Sequence, residues 1–199
     1  MPQITHEEFE RLPLRVHAFL AGVPLHDVWA VDLPCTRSGI TLTEFIRGAG
    51  GLFLQPPPAV RVLLSVRFFV GGLFGWDRAA PDSVSQSFAQ RLTEDDRTHS
   101  LVPAGTPDGL FRVVYRFENE QLDEVVNRTV HAAALSALIE GGAGYRFYFA
   151  VYVREVSCFT PLYMAAIDPF RKVIVYPALL SSIAVQWNAT FGPDSLKPV

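Results

Sequence analysis

At 199 residues the chain has single-domain length, and a domain of that size buries roughly 70% of the surface its unfolded chain exposes. With 49% hydrophobic residues, 19% charged residues and 15 phenylalanines, it carries more apolar surface than its polar residues can cover. It must therefore pack a large core, line an apolar pocket, or hide a face against a partner. A formal net charge of −3, with no run of Lys and Arg able to follow a phosphate backbone, excludes nucleic-acid binding from the expected functions.

The N-terminus, Met-Pro-Gln-Ile-Thr-His-Glu-Glu, is acidic where a signal peptide is basic, and no apolar stretch follows it, so a cytoplasmic location is expected. Cys35 and Cys158 form no C-x-x-C pair and read as buried thiols of a reducing compartment. Thr5-x-x-Glu8 is a capping box that starts a helix near residue 5, bent at Pro13 and ending near Gly22. His26 to Leu33 alternates, with Asp27, Trp29, Val31 and Leu33 on one side, and predicts a first strand stopped by Pro34.

Thr41-x-x-Glu44 opens a second, short helix that ends in the glycines between 48 and 51. Pro58 suits the first turn of a mostly buried helix from Ala59 to Val70. Residues 82 to 92 predict a surface helix, with Thr93-Glu-Asp-Asp-Arg as its exit, and the Pro/Gly cluster at 103 to 109 a turn between strands.

From Leu110 the pattern alternates, setting Phe111, Val113, Tyr115 and Phe117 against Arg112, Val114 and Arg116. A long strand is expected from Leu122 to Ile139. Its alanine-rich part from His131 also reads as a capped helix, but the β-branched run at 125 to 130 favours strand. A glycine-rich turn at 141 to 144 leads to a strand from Tyr145, with Tyr145, Phe147, Phe149, Val151 and Val153 on one face.

The closing segment reads as two helical pieces. One is capped by Thr160 with Pro161 in its first turn, the other by Asp168 with Pro169 in its first turn, and Pro177 kinks the second. Phe170, Val173, Ile174, Leu180, Ile183 and Trp187 recur on its apolar face. The uncharged stretch from Val173 to Pro193 is long enough to cross a bilayer, but Ser181, Ser182, Gln186, Asn188, Thr190 and Pro177 argue for a buried helix over a stable membrane insertion.

This order, a strand, helices, long antiparallel strands and a closing helix, is that of the helix-grip fold. Asp-Gly-Leu-Phe-Arg-Val-Val-Tyr-Arg-Phe-Glu at 108 to 118, Asn-Arg-Thr-Val-His-Ala, Tyr-Phe-Ala-Val-Tyr-Val and Tyr-Met-Ala-Ala-Ile-Asp-Pro-Phe-Arg-Lys resemble an uncharacterised bacterial family of unknown function within the START-like, SRPBCC (Bet v-type) superfamily. The resemblance implies an α+β, single-domain protein spanning 1–199. Its N-terminal helix occupies 1–24, a helical insertion 35–98, and the curved antiparallel sheet with a long kinked C-terminal helix 99–190. About five strands can be counted from the sequence. The resemblance also implies an apolar cavity between sheet and helix, in a superfamily that includes lipid carriers and polyketide cyclases.

No nucleophile elbow, P-loop, dinucleotide fingerprint or H-E-x-x-H motif is present, and the five histidines make no i, i+4 pair, so no cofactor and no metal site is expected. On strand parity Asn127, Thr129 and His131 form a polar ladder. On a concave face they orient a ligand or supply a general base; on a convex face they are solvated. Asp168 and Arg171 are structural groups of a helix start or, turned inward, contacts to a carboxylate ligand. Tyr115, Tyr163 and Tyr176 can each present a hydroxyl to a cavity.

The leading expectation is a protein that binds a small apolar or amphipathic molecule. An enzyme of the cyclase or hydratase kind using His131 or Asp168 as acid or base is the second reading, and a homodimerising interaction protein the third.

Overall fold

The protein is described by a computed structural model over residues 3–48, 87–127, 130–142, 144–156 and 160–192. It is α+β, with six strands in one curved, open, antiparallel sheet and a helical C-terminus. The strands are β1 (Leu25–Pro34), β2 (Pro107–Asp108), β3 (Phe111–Arg116), β4 (Glu120–Val126), β5 (His131–Gly141) and β6 (Gly144–Arg154), in spatial order β1-β6-β5-β4-β3-β2. The helices among the described residues are α1 (His6–Glu10), α2 (Arg15–Phe19), α3 (Leu42–Gly48), α4 (Glu94–His99), α5 (Thr160–Phe170) and α6 (Tyr176–Phe191); a π-helical turn, Arg171–Val175, joins the last two.

Both faces of the sheet are covered, which is why β5 and β6 are buried almost continuously rather than alternately. On one face Trp29, Leu33, Phe147, Phe149 and Leu138 meet α3 and α6 through Phe45, Leu180, Ile183 and Trp187. On the other, Val28, Ala30, Leu135, Tyr148 and Ala150 meet α1, α2 and the segment from Ser87 through Phe9, Val16, Phe19 and Phe88. Trp187 is fully buried, and its indole N–H donates to the Pro34 carbonyl at 3.1 Å, fastening α6 to the end of β1.

The hairpin between β5 and β6 turns at Gly144, whose φ of +133° lies where L side chains rarely go. A Cβ there would meet the Cys35 nitrogen and the Leu33 oxygen at 2.7 Å, so glycine is required by both conformation and space.

Several sequence expectations are corrected. The N-terminal helix is two short helices, because Pro13 lacks the N–H that would carry one through. Thr93 is no exit but the cap of α4, with its hydroxyl and the Asp96 carboxylate exchanging hydrogen bonds with each other's backbone N–H.

The single strand expected over 122–139 is two. Asn127 turns the chain, its N–H donating to the Val130 carbonyl and its Oδ1 accepting from the Val130 N–H, both at 3.0 Å; with β2, which lies in the stretch expected to be a turn, the described residues form six strands where about five were counted. The alternation in β3 is broken by a register shift between Val113 and Tyr115, so Val114 and Tyr115 are both buried on the same side. The expected helix at 59–70 and Cys158 lie outside the described residues.

Asp168 does not cap a second helix, and Pro169 lies inside α5. The break falls later, at the π turn, where the Tyr176 N–H donates to the carbonyl of Arg171, five residues back. Pro177 explains it: proline has no N–H for the Val173 carbonyl and its ring would crowd that oxygen, so the helix widens immediately before it.

Among the described residues, no helix is long and apolar enough to cross a membrane. The closing helices are instead half exposed, with Leu162, Phe170, Val173 and Val185 facing solvent.

Candidate functional site

Two backbone irregularities face each other. In β1, Leu25 pairs with Tyr152 and Asp27 with Val151, so His26 is the extra residue of a β-bulge. Opposite stands the π turn. Bulges re-aim side chains and π turns concentrate at functional sites, and here both aim polar groups at one point.

His26 Nε2 lies 2.9 Å from Asp168 Oδ1, the same oxygen that accepts from Arg171 Nη1 at 2.9 Å. Lys172 Nζ stands 3.6 Å from Asp168 Oδ2. Burial raises the Asp168 carboxyl, but the hydrogen bond and charge of His26, with Arg171 and Lys172, outweigh it and hold the carboxyl below its usual value. The second guanidinium nitrogen of Arg171 donates to the Tyr176 hydroxyl, so both ends of the arginine are committed within the cluster. Burial holds the Tyr176 hydroxyl protonated well beyond neutral pH.

Asp27 is the unusual member. Its side chain is fully buried, yet neither carboxylate oxygen has a hydrogen-bond partner among the described residues, and Arg171 Nη2 approaches Oδ2 only to 3.6 Å. Burial raises its carboxyl above the ordinary aspartate value, with the charges of Arg171 and His26 and the neighbouring Tyr176 hydroxyl opposing the shift. Two residues on, the buried Trp29 indole N–H also lacks a partner. The rings of Trp29 and Tyr176 lie 5.4 Å apart and those of Phe149 and Tyr176 5.7 Å, so the polar cluster adjoins an aromatic wall.

The strand register continues this surface across the sheet. Trp29, Phe149, Ser136, Gln121 and Arg116 stand in one cross-strand row, and Asp27, Val151, Ala134 and Asp123 in the next, on the face that meets α6. Ser136 is fully buried with its hydroxyl unpartnered. Gln121 donates its amide to Asp108 and to both oxygens of Asp123 at 2.8 to 2.9 Å. Burial, reinforced by the neighbouring Asp108, pushes the Asp123 carboxyl up to about 7. The two aspartates of the second row are three strand spacings, about 14 Å, apart, with only Val151 and Ala134 between them.

The residues singled out in the sequence therefore divide. Asp168, Arg171 and Tyr176 come together with His26 and Asp27. His131 does not join them: it is fully buried on the opposite face of the sheet, its Nε2 3.0 Å from Glu124 Oε2 and its ring stacked on Phe88 at 3.9 Å. Glu124 also accepts from the Ser87 hydroxyl and, at 2.8 Å, from the Phe88 N–H, so His131 ties the 87–91 segment to the sheet. Although burial raises the Glu124 carboxyl, these bonds bring it below its usual value.

Tyr115 shares that face and donates to Glu120 Oε1 at 2.7 Å. The polar ladder is not formed, because Asn127 is the turn residue before β5; Thr129 and the Tyr163 side chain lie outside the described residues.

Sequence reasoning missed His26, Asp27, Asp123 and Ser136. Asp27 had a readable signal, a lone carboxylate on the same side of a strand as Trp29, Val31 and Leu33. The bulge that aims His26 had none.

An open cleft of about 750 Å³ lies elsewhere, lined in part by Leu14, Arg15, Leu101, Phe117 and Glu120. Two of its charged groups are paired: Glu120 accepts from the Arg15 N–H at 2.8 Å as well as from Tyr115, and the Arg15 guanidinium pairs with Asp96. Buried polar atoms without a partner among the described residues occur on both faces, His17 Nε2 and His131 Nδ1 on this one, and Asp27, Trp29 Nε1 and Ser136 on the other, under the C-terminal helix. There His26, Asp27 and Asp168 offer ligand atoms within 4.8 Å of one another. A divalent cation held by these three would compete with Arg171 for Asp168.

An antiparallel sheet with a helix across one face defines an α+β class of fold and by itself fixes no activity. The chain belongs to the family described as "Protein of unknown function (DUF2867)", whose model matches residues 19–178 and so takes in β1, the bulge at His26, the π turn and Tyr176. No curated protein and no solved structure matches the chain.

Proposed function

We propose that this protein is a helix-grip variant that binds a small amphipathic molecule between the sheet and its C-terminal helix. The supporting observation is the set of buried groups on that sheet face with no hydrogen-bond partner among the described residues: the Asp27 carboxylate, the Trp29 indole N–H and the Ser136 hydroxyl. An unpaired buried polar group costs about 1–3 kcal/mol. Three within two adjacent cross-strand rows would be poor design for a face that only packs, and are accounted for by a ligand that pairs with them. The apolar body of the ligand lies along Trp29, Phe149, Val151 and Ala134, and its polar end at the cluster made by the bulge and the π turn.

Native mass spectrometry of the protein purified without detergent tests the proposal. A retained adduct, lost on replacing Ser136 by leucine in a variant that still melts cooperatively, is the expected result. Absence of any adduct, together with failure to bind an apolar fluorophore, would sink it.

A second reading, an acid–base enzyme on the same face, has one observation in its favour: the Asp123 carboxyl is held near 7, where a group can both give and take a proton at working pH. Turnover of no carbonyl or enol substrate while ligand is bound stoichiometrically would remove it.

A further inference from the structure

The chemistry around Asp27 narrows the ligand. Its side chain is fully buried, neither oxygen has a donor in hydrogen-bond geometry among the described residues, and its polar neighbours are the Tyr176 hydroxyl, already engaged by Arg171, and a guanidinium nitrogen at 3.6 Å, beyond a hydrogen bond. Two positions along the same face of β1, the Trp29 indole N–H lacks an acceptor. A hydroxyl group both donates and accepts, so one hydroxyl can satisfy an unfilled acceptor and an unfilled donor together.

Charge decides against the alternatives. Asp27 and Asp168 are balanced by Arg171 and Lys172, all within one network of contacts of 2.9 to 3.6 Å. A carboxylate ligand would bring a third anion beside two aspartates, and Arg171 has no free end to receive it, since its terminal nitrogens are engaged by Asp168 and Tyr176. This reverses the sequence expectation that an inward Arg171 reads a carboxylate. An ammonium ligand would set a cation against Arg171 itself.

We infer that the site takes an uncharged amphiphile whose polar end is a hydroxyl, donated to Asp27, and rejects a carboxylate on the same hydrocarbon chain. The inference rests on the ligand-binding reading above and deepens it. Recognition through unfilled buried partners discriminates more sharply than apolar contact does, because the wrong head group leaves those partners unpaired.

The test is calorimetric titration of the full chain at pH 7.5 with three probes of equal length, 1-decanol, decanoate and decylammonium, each below its aggregation concentration. Decanol is expected to bind at least tenfold more tightly than decanoate and more tightly than decylammonium. Asp27→Asn is expected to shrink the preference over decanoate to less than threefold. Should that variant not fold, Trp29→Phe, which removes only the indole donor, is expected to weaken decanol several-fold and leave decanoate unchanged.

Decanoate binding as tightly as decanol, or decylammonium binding best, overturns the inference and leaves the ligand-binding reading intact. A preference for decanol that survives both substitutions also overturns it. Binding of none of the three removes the reading on which it rests.

Discussion

His26 Nε2 and Asp168 Oδ1 meet at 2.9 Å across 142 residues of sequence, joining the bulge of β1 to the last turn of α5. Both side chains keep about a quarter of their surface exposed, at 27% and 20%, so solvent weakens the pair. His26→Ala and Asp168→Asn are each expected to cost about 1 kcal/mol, with a coupling of roughly 0.5–1 kcal/mol in a double-mutant cycle by urea denaturation. Strict additivity would show that the contact holds nothing together. Because Asp168 also receives Arg171, the aspartate substitution should disturb ligand binding more than the histidine substitution does.

Asp123 should make stability fall with rising pH. Its folded-state value of about 7 lies above the ordinary 3.8, so the folded protein holds this proton more tightly than the unfolded chain. The contribution is complete below about pH 4 and is lost progressively as pH rises to about 7. Asp123→Asn is therefore expected to leave the denaturation midpoint nearly unchanged at pH 4 and to raise stability at pH 8, by up to roughly 4 kcal/mol. Parallel pH profiles for the two proteins would contradict the assignment.

Asp96 acts in the opposite sense and in a separate window. Arg15 grips both its oxygens, at 2.8 and 2.9 Å, and this hydrogen bonding brings the carboxyl down to about 2. Depressed below its unfolded value, Asp96 stabilises the fold above about pH 4, and that contribution disappears as pH falls toward 2. Since the Arg15 side chain is 37% exposed, the discounted expectation is about 1 kcal/mol. It is measured as the loss in Asp96→Asn at pH 6 that vanishes near pH 2.

Pro177 is expected to serve the site at the expense of the helix. Pro177→Ala permits a regular α-helix through 171–177, which would rotate Arg171 and Tyr176 relative to Asp27. The melting temperature should be unchanged or higher while ligand retention in native mass spectrometry falls. A less stable variant with full retention would show that the proline is there only for packing.

Legibility from sequence followed the range of the interaction. Strand β1, the faces of β6 and the starts of α1 and α3 were readable because alternation and capping are local: Thr5 and Thr41 accept from the N–H groups of Glu8 and Glu44, three residues on. The turn at Asn127 was hidden by the β-branched residues around it, which favour strand whichever way the chain goes. Asp168, Arg171 and Tyr176 were identifiable as functional candidates, but the strand residues His26 and Asp27 that meet them were not singled out.

The sequence by itself determined that the chain would form a sheet with an apolar-faced closing helix, because periodicity and the phenylalanine and valine content leave little else to bury. It also determined that the closing helix would be interrupted, since Pro177 forbids a regular bond wherever the chain lies. Only the tertiary structure decided which face each polar group occupies. A one-residue bulge brought His26 to Asp168, pairing at Glu124 took His131 to the opposite side, and neither event has a local energetic signature. The candidate site arises from such long-range placements, of which Asp27, buried at 3.6 Å from Arg171 and without a hydrogen bond among the described residues, is the clearest.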